Sequence, residues 1–183
     1  MSLKRVALFA GLVLAVLPLK AAAGGLFIYS YDPISPAART LTATGLSFEF
    51  ERGLLGAERV RKVIQTGDRG SAELKPASES ELGAGGLRAA LGETRPAGAL
   101  YEIMPRGDGQ AFVHAVCPGA DRAWLVIGKL DRFKDLQLQA VGRRPGESAA
   151  HACSDMAFGF RSDWRLPGDE PPEAHIAPRQ GPS

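Results

Sequence analysis

The feature that most narrows the possible folds is a succession of short apolar runs, cut every 10 to 15 residues by glycine or proline. Thr40 to Glu51 is the clearest of them. Thr40, Thr42 and Thr44 alternate with Leu41 and Ala43. Beyond Gly45 the phase flips, so that Leu46, Phe48 and Phe50 share one face while Ser47, Glu49 and Glu51 share the other. Period-two alternation marks a half-buried strand. A change of phase at a glycine marks a bulge or a tight bend.

The rest of the chain repeats the theme. Leu26 to Tyr31 reads as a strand ending at Asp32-Pro33. Arg59 to Thr66 reads as the hairpin partner of the Phe48 strand, across Gly53 to Gly56. Gly67 to Gly70 reads as a turn, and Ser71 to Lys75 as a short edge strand. Ala99–Met104, Gln110–Val116, Ala123–Lys129, Leu136–Val141 and Met156–Trp164 complete the set. Trp124 to Ile127 is apolar on both faces, which predicts a central strand. Residues 77–97 differ. Ser78 and Glu81 match a capping box, but Gly83, Gly85 and Gly86 would each cost about 1 kcal/mol inside a helix. The expectation there is a short helix near 86–91 or a loop. No long helices alternate with the strands, which argues against a doubly wound sheet. The expected fold is all-β, or β-rich with one short helix: an antiparallel sandwich or small barrel of about eight strands.

Both ends of the chain have a different composition. Lys4 and Arg5 precede an uncharged apolar run from Val6 to Leu19, and Ala21-Ala22-Ala23 follow. This is the pattern of a cleaved secretory leader, residues 1–23. The run is shorter than the roughly 20 residues of a membrane span, so no stable membrane insertion is expected after cleavage. From Pro167 to Ser183 the chain is polar and non-periodic with five prolines, and is expected to be disordered. Residues 24–166 are then a single domain, periplasmic or secreted, and in character bacterial. The dominance of arginine over lysine and the absence of asparagine are read as composition bias, not function.

Loss of Lys4, Arg5 and Lys20 takes 22 basic residues to 19, against 20 acidic, so the net charge moves from +2 to −1. A chain without a basic excess has little with which to displace phosphate counterions, and no nucleic acid partner is expected.

Cys117 and Cys153 are the only cysteines. An even count in an oxidising compartment predicts a disulfide. Closing a loop of this length stabilises by about 4 kcal/mol in the chain-entropy model. A zinc set of His114, Cys117, His151 and Cys153 is the competing reading. On a strand, however, His114 and Cys117 point to opposite faces.

The remaining chemical signals are weak. His114, read on one face with Phe112 and Val116, is the single functional candidate, as base or ligand of a small hydrolase. No glycine-flanked serine elbow accompanies it. His151, beside Ser154 and Asp155, is expected in an exposed turn. Glu49 and Glu51 share a face that reads as the wet side of its strand. Arg106-Gly107-Asp108 reads as an ordinary hairpin tip. Phosphate-loop, calcium-loop and haem-attachment patterns are absent, so no catalytic set, metal or cofactor is assigned. The function expected is non-enzymatic binding of an unidentified protein or small ligand, with a hydrolase or an inhibitory or structural envelope component as alternatives.

Overall fold

The computed structural model describes residues 25–53, 56–67, 70–92 and 97–166. The expected leader, residues 1–23, and the expected disordered tail from residue 167 lie outside them. Eight antiparallel strands follow one another round a closed barrel. They are β1 (Leu26–Pro33), β2 (Leu46–Arg52), β3 (Glu58–Gln65), β4 (Ser71–Pro76), β5 (Ala99–Ile103), β6 (Arg122–Ile127), β7 (Leu136–Arg143) and β8 (His151–Arg165). β8 returns to β1, setting Arg165 opposite Phe27 and Phe160 opposite Tyr31. Closure removes the outermost strands that an open sheet would leave. β4, expected at an edge, therefore has a neighbour on each side.

Alternation decides what fills the barrel. Leu46, Phe48 and Phe50 of β2 are fully buried, with Tyr29 and Tyr31 of β1, Leu125 of β6, Leu138 of β7 and Phe158 of β8. These side chains meet in one cluster. The lumen is thus a packed core, as in other small barrels. It is apolar within, while β3 and β4 carry Arg59, Arg61, Glu73 and Lys75 exposed on the outside. A bilayer-spanning barrel has the reverse polarity. Among the described residues no helix is long and apolar enough to cross a membrane.

Among the described residues, three short helices decorate the barrel. α1 (Pro36–Leu41) lies between β1 and β2, and α3 (Gly109–Val116) between β5 and β6. The up-and-down order puts both connections at one mouth. α3 buries Phe112, Val113 and Val116 and leaves His114 exposed. α2 (Gly86–Leu91) and the 3-10 turn before it (Glu79–Leu82) lie outside the wall. There Leu82 and Leu87 pack with Leu100, Trp124, Val126 and Val141. The double-sided apolarity of β6 has its cause here: the lumen is on one face and this outer layer on the other. The expected capping box of Ser78 and Glu81 is formed.

Two segments depart from the sequence reading. Gln110–Val116, expected as a strand, is helical: the buried residues 109, 112, 113 and 116 fall at helical spacing. With it goes the hairpin tip at Arg106-Gly107-Asp108, which instead leads into α3 with Asp108 at the N-cap. The threonine alternation of Thr40 to Thr44 is not strand either. Ser35 caps α1 by accepting from the Ala38 amide at 3.2 Å, and Pro36 sits in its first turn. Thr42 then closes a tight turn, its Oγ1 accepting from the Gly45 amide at 3.1 Å and donating to the Gly45 carbonyl at 3.0 Å. Gly45 holds φ +98, and a Cβ there would stand 2.2 Å from the Tyr31 carbonyl oxygen. The phase flip read at Gly45 is this bend.

Candidate functional site

The wall is not equally knit. β2 and β3 share seven residue pairs, whereas β3 and β4 share only Lys62–Glu73, Val63–Ala72 and Ile64–Ser71. The cause is a bulge. The β2–β3 register shifts between Glu49 and Phe50, so that Glu49 pairs with Lys62 but Phe50 with Val60, leaving Arg61 as the extra residue. A bulge bends its strand and increases its twist, and β3 from Glu58 to Arg61 runs on without β4. The Val60 amide, with no partner there, is met from the barrel side by the Tyr101 hydroxyl at 3.2 Å, which lies 3.4 Å from the Glu58 carbonyl as its own acceptor.

Outside this seam lies a groove of about 540 Å³. Its walls are the diverging strands, Arg59–Lys62 on one side and Glu73–Pro76 on the other. Glu49 and Glu51 line its β2 side, so the wet face read from the sequence forms one flank of the groove. Glu51 is paired with Arg61 at 2.9 Å. A second cleft of about 390 Å³ adjoins it, sharing Val60, and continues past Tyr101 to Gly128, Lys129 and Leu130 at the barrel mouth. Behind that cleft a polar cluster closes the mouth. Arg52 lies over the Phe27, Tyr29 and Phe50 rings and donates to Glu58 at 2.8 Å, while the other Glu58 oxygen accepts from the Leu130 amide at 3.0 Å. On the same β6–β7 loop Phe133 stands 80 % exposed with φ 61. Bulky residues rarely adopt that backbone, and the ring is edge-on to Phe160 at 5.3 Å.

The second constellation is at the opposite mouth. Cys117 and Cys153 form a disulfide with their Cα atoms 5.1 Å apart. It ties the C-terminus of α3 to β8. Gly142 of β7 makes room for it, since a Cβ there would stand 2.2 Å from the Cys117 sulfur. His151 belongs to β8 and is half-buried, not in an exposed turn as its sequence surroundings suggested. Its Nε2 lies 3.9 Å from Cys117 Sγ and its Nδ1 3.2 Å from Glu147. The Arg144 backbone amide, and after it the charges of His151 and Arg144, hold the Glu147 carboxyl below its ordinary value.

The sequence placed His114 in a four-ligand set with these residues. The structure brings only Cys117, His151 and Cys153 together, with their ligating atoms within 4.8 Å. Because α3 is a helix, the strand-face argument made for His114 does not apply. His114 faces outward, with the Gln110 side chain 3.0 Å from its Nε2. It lines neither the seam groove nor the mouth cleft. With the two sulfurs bonded to each other, they are not the thiolates that zinc takes.

The sequence reading singled out neither the seam nor the role of Tyr101. The bulge depends on register, which a single strand does not display. Compared with known proteins, the chain matches no family model, no curated protein and no solved structure.

Proposed function

We propose that this chain is an exported, non-enzymatic binding domain that takes an extended protein segment along the β3–β4 seam. One observation carries the reading: β3 continues for four residues, Glu58 to Arg61, beyond its last β4 partner, beside an open groove. Strand backbone without a paired neighbour is a template for an added strand, in which main-chain hydrogen bonds supply affinity and alternate side chains supply selectivity. Here the Tyr101 hydroxyl holds the Val60 amide and the Glu58 carbonyl until a partner strand displaces it. A small-ligand carrier is the weaker form of the idea, because Phe48, Phe158 and Leu125 fill the lumen such a ligand would need. The hydrolase form was built on His114, whose polar neighbour is the Gln110 amide and not a hydroxyl or carboxylate. Export is supported by the leader pattern at residues 1–23 and by the oxidised cysteine pair.

The test is a screen against an array of extended peptides, followed by amide hydrogen exchange on the bound form. Added protection is expected at Arg59–Lys62 and at Leu74–Lys75. Protection confined to other strands, or an array without a binder, would end the seam reading. Intact-mass analysis of the native product checks export, with a start at Gly24 and no free thiol expected.

A further inference from the structure

We propose that the Cys117–Cys153 disulfide is an exchange site for external thiols, with Cys153 as the sulfur attacked and Cys117 as the leaving group. The inference is independent of the seam. It rests on an asymmetry between the two sulfurs and on what stands beside one of them. Cys117 is buried, 1 % exposed, at the end of α3, while Cys153 on β8 is half-buried and within reach of solvent. A purely bracing disulfide has no need of an imidazole, yet His151 places Nε2 3.9 Å from the buried sulfur. Glu147, on the β7–β8 turn, holds the other ring nitrogen at 3.2 Å. The Arg144 amide in turn donates to Glu147 at 3.1 Å, so the carboxylate is itself anchored. A carboxylate that orients an imidazole toward a sulfur is the arrangement that stabilises a thiolate.

The chemistry is thiol–disulfide exchange, whose rate rises as the leaving sulfur becomes a better anion. An incoming thiolate attacks Cys153 Sγ and forms a mixed disulfide. The Cys117–Cys153 bond breaks, and its electron pair goes to Cys117 Sγ. The His151 Nε2–H donates to that sulfur and can pass it its proton. A second thiolate then attacks the thiol partner's sulfur in the mixed disulfide. Cys153 leaves as a thiolate that takes a proton from water, and the reductant departs as its own disulfide. The co-reactant is a thiol or dithiol, and the full cycle leaves two protein thiols. Once reduced, α3 loses its covalent tie to β8.

Reduced glutathione is the probe. The oxidised full chain is exposed to it at neutral pH, quenched with a maleimide and digested for peptide mass analysis. Glutathione is expected on Cys153 and maleimide on Cys117. Glutathione found mainly on Cys117, or equally on both, overturns the proposal without any variant. His151→Gln is expected to slow reduction about tenfold, the worth of one hydrogen bond to a charged sulfur. It should also erode the preference for Cys153, which a merely structural change would leave alone. An unchanged rate and preference in a folded His151→Gln protein also overturns it. Should that variant fail to fold, Glu147→Gln on the exposed turn is expected to slow reduction in the same sense by a smaller factor, and an unchanged rate there overturns the role given to the pair.

Discussion

The two sides of the barrel wall are built on different terms. On the β5–β7 side the outside of the sheet is a second core. Trp124 is fully buried there beneath Leu82 and Leu87, flanked by the Arg122 and Arg143 guanidinium groups at 4.9 and 5.6 Å from its ring. On the β3–β4 side the outside is bare, charged and split by the seam. Both sides share one lumen, so the difference is not a matter of how well the barrel is filled. It lies in where the long β4–β5 connection is laid. That connection binds across the wall to the β7–β8 turn, with the Ala150 amide donating to the Leu82 carbonyl at 2.8 Å. A wall covered in this way is fixed, whereas the bare wall is where the proposed partner segment would add.

The largest effect is expected at Trp124. Trp124→Ala is expected to destabilise by about 3–5 kcal/mol in urea unfolding, because it empties the outer core and the face of β6 together. A loss under about 1 kcal/mol would mean that the outer layer is not a core at all. At the seam, Tyr101→Phe removes the hydroxyl that meets the Val60 amide. The expected loss is about 1–3 kcal/mol, the desolvation penalty of a stranded donor. Amide exchange should also rise at Val60 above its neighbours. If the loss is negligible, water already serves that amide and the seam is wider than described.

The lumen provides a control common to both sides. Burial first, and then the negative charge of Glu58, push the Tyr31 hydroxyl above its usual range, and the group has no hydrogen-bond partner among the described residues. A folded pKa above the unfolded one gives stability that is fully present below about pH 10, the unfolded value, and declines as pH rises beyond it. Tyr31→Phe should therefore flatten the alkaline limb of a stability–pH profile while changing little at neutral pH. An unaltered alkaline limb would assign that loss to other groups. The smallest effect is expected on the bare wall. Arg61 and Glu51 are 55 % and 42 % exposed at their side chains, and Arg61→Ala should change stability by no more than about 0.5 kcal/mol. A larger loss would mark Arg61 as a support of the bulge.

Strands with a lumen face were legible in the sequence because their alternation is a direct record of in and out. β2 shows it best, while β6, apolar on both faces, was legible as a central strand from its unbroken apolar run. α3 was not, since Phe112, His114 and Val116 satisfy a period of two while Phe112, Val113 and Val116 satisfy a helix, and seven residues do not separate the periods. Asp108 at the N-cap does not mark the helix either, since its carboxylate makes no cap hydrogen bond and accepts from the Ser71 amide at 3.4 Å. α1 carried its own markers in Ser35 and Pro36, but the threonine alternation competed with them. β8 begins at His151, earlier than its apolar pattern suggests, because the β7–β8 register shifts between Ala140 and Val141 and breaks the alternation. The sequence set His151 beside the two cysteines only as a candidate zinc ligand, and not as a strand residue held against their disulfide by Glu147. Of the site itself, the cysteine pairing was legible from an even count read together with the leader pattern. The carboxylate–imidazole–sulfur line joins Glu147, His151 and Cys117, and only the turn between β7 and β8 brings them together.

The pairing of β8 with β1 has a consequence for synthesis. Whatever the order in which the strands form, the ring stays unsealed until residues near Arg165 meet Phe27. Until then the nascent sheet has two hungry edges. A message truncated before His151 would encode a ribbon prone to self-association, not a smaller barrel. The same adjacency, with the Leu166 amide 2.9 Å from the Leu26 carbonyl, makes this junction a natural splice point for circular permutation.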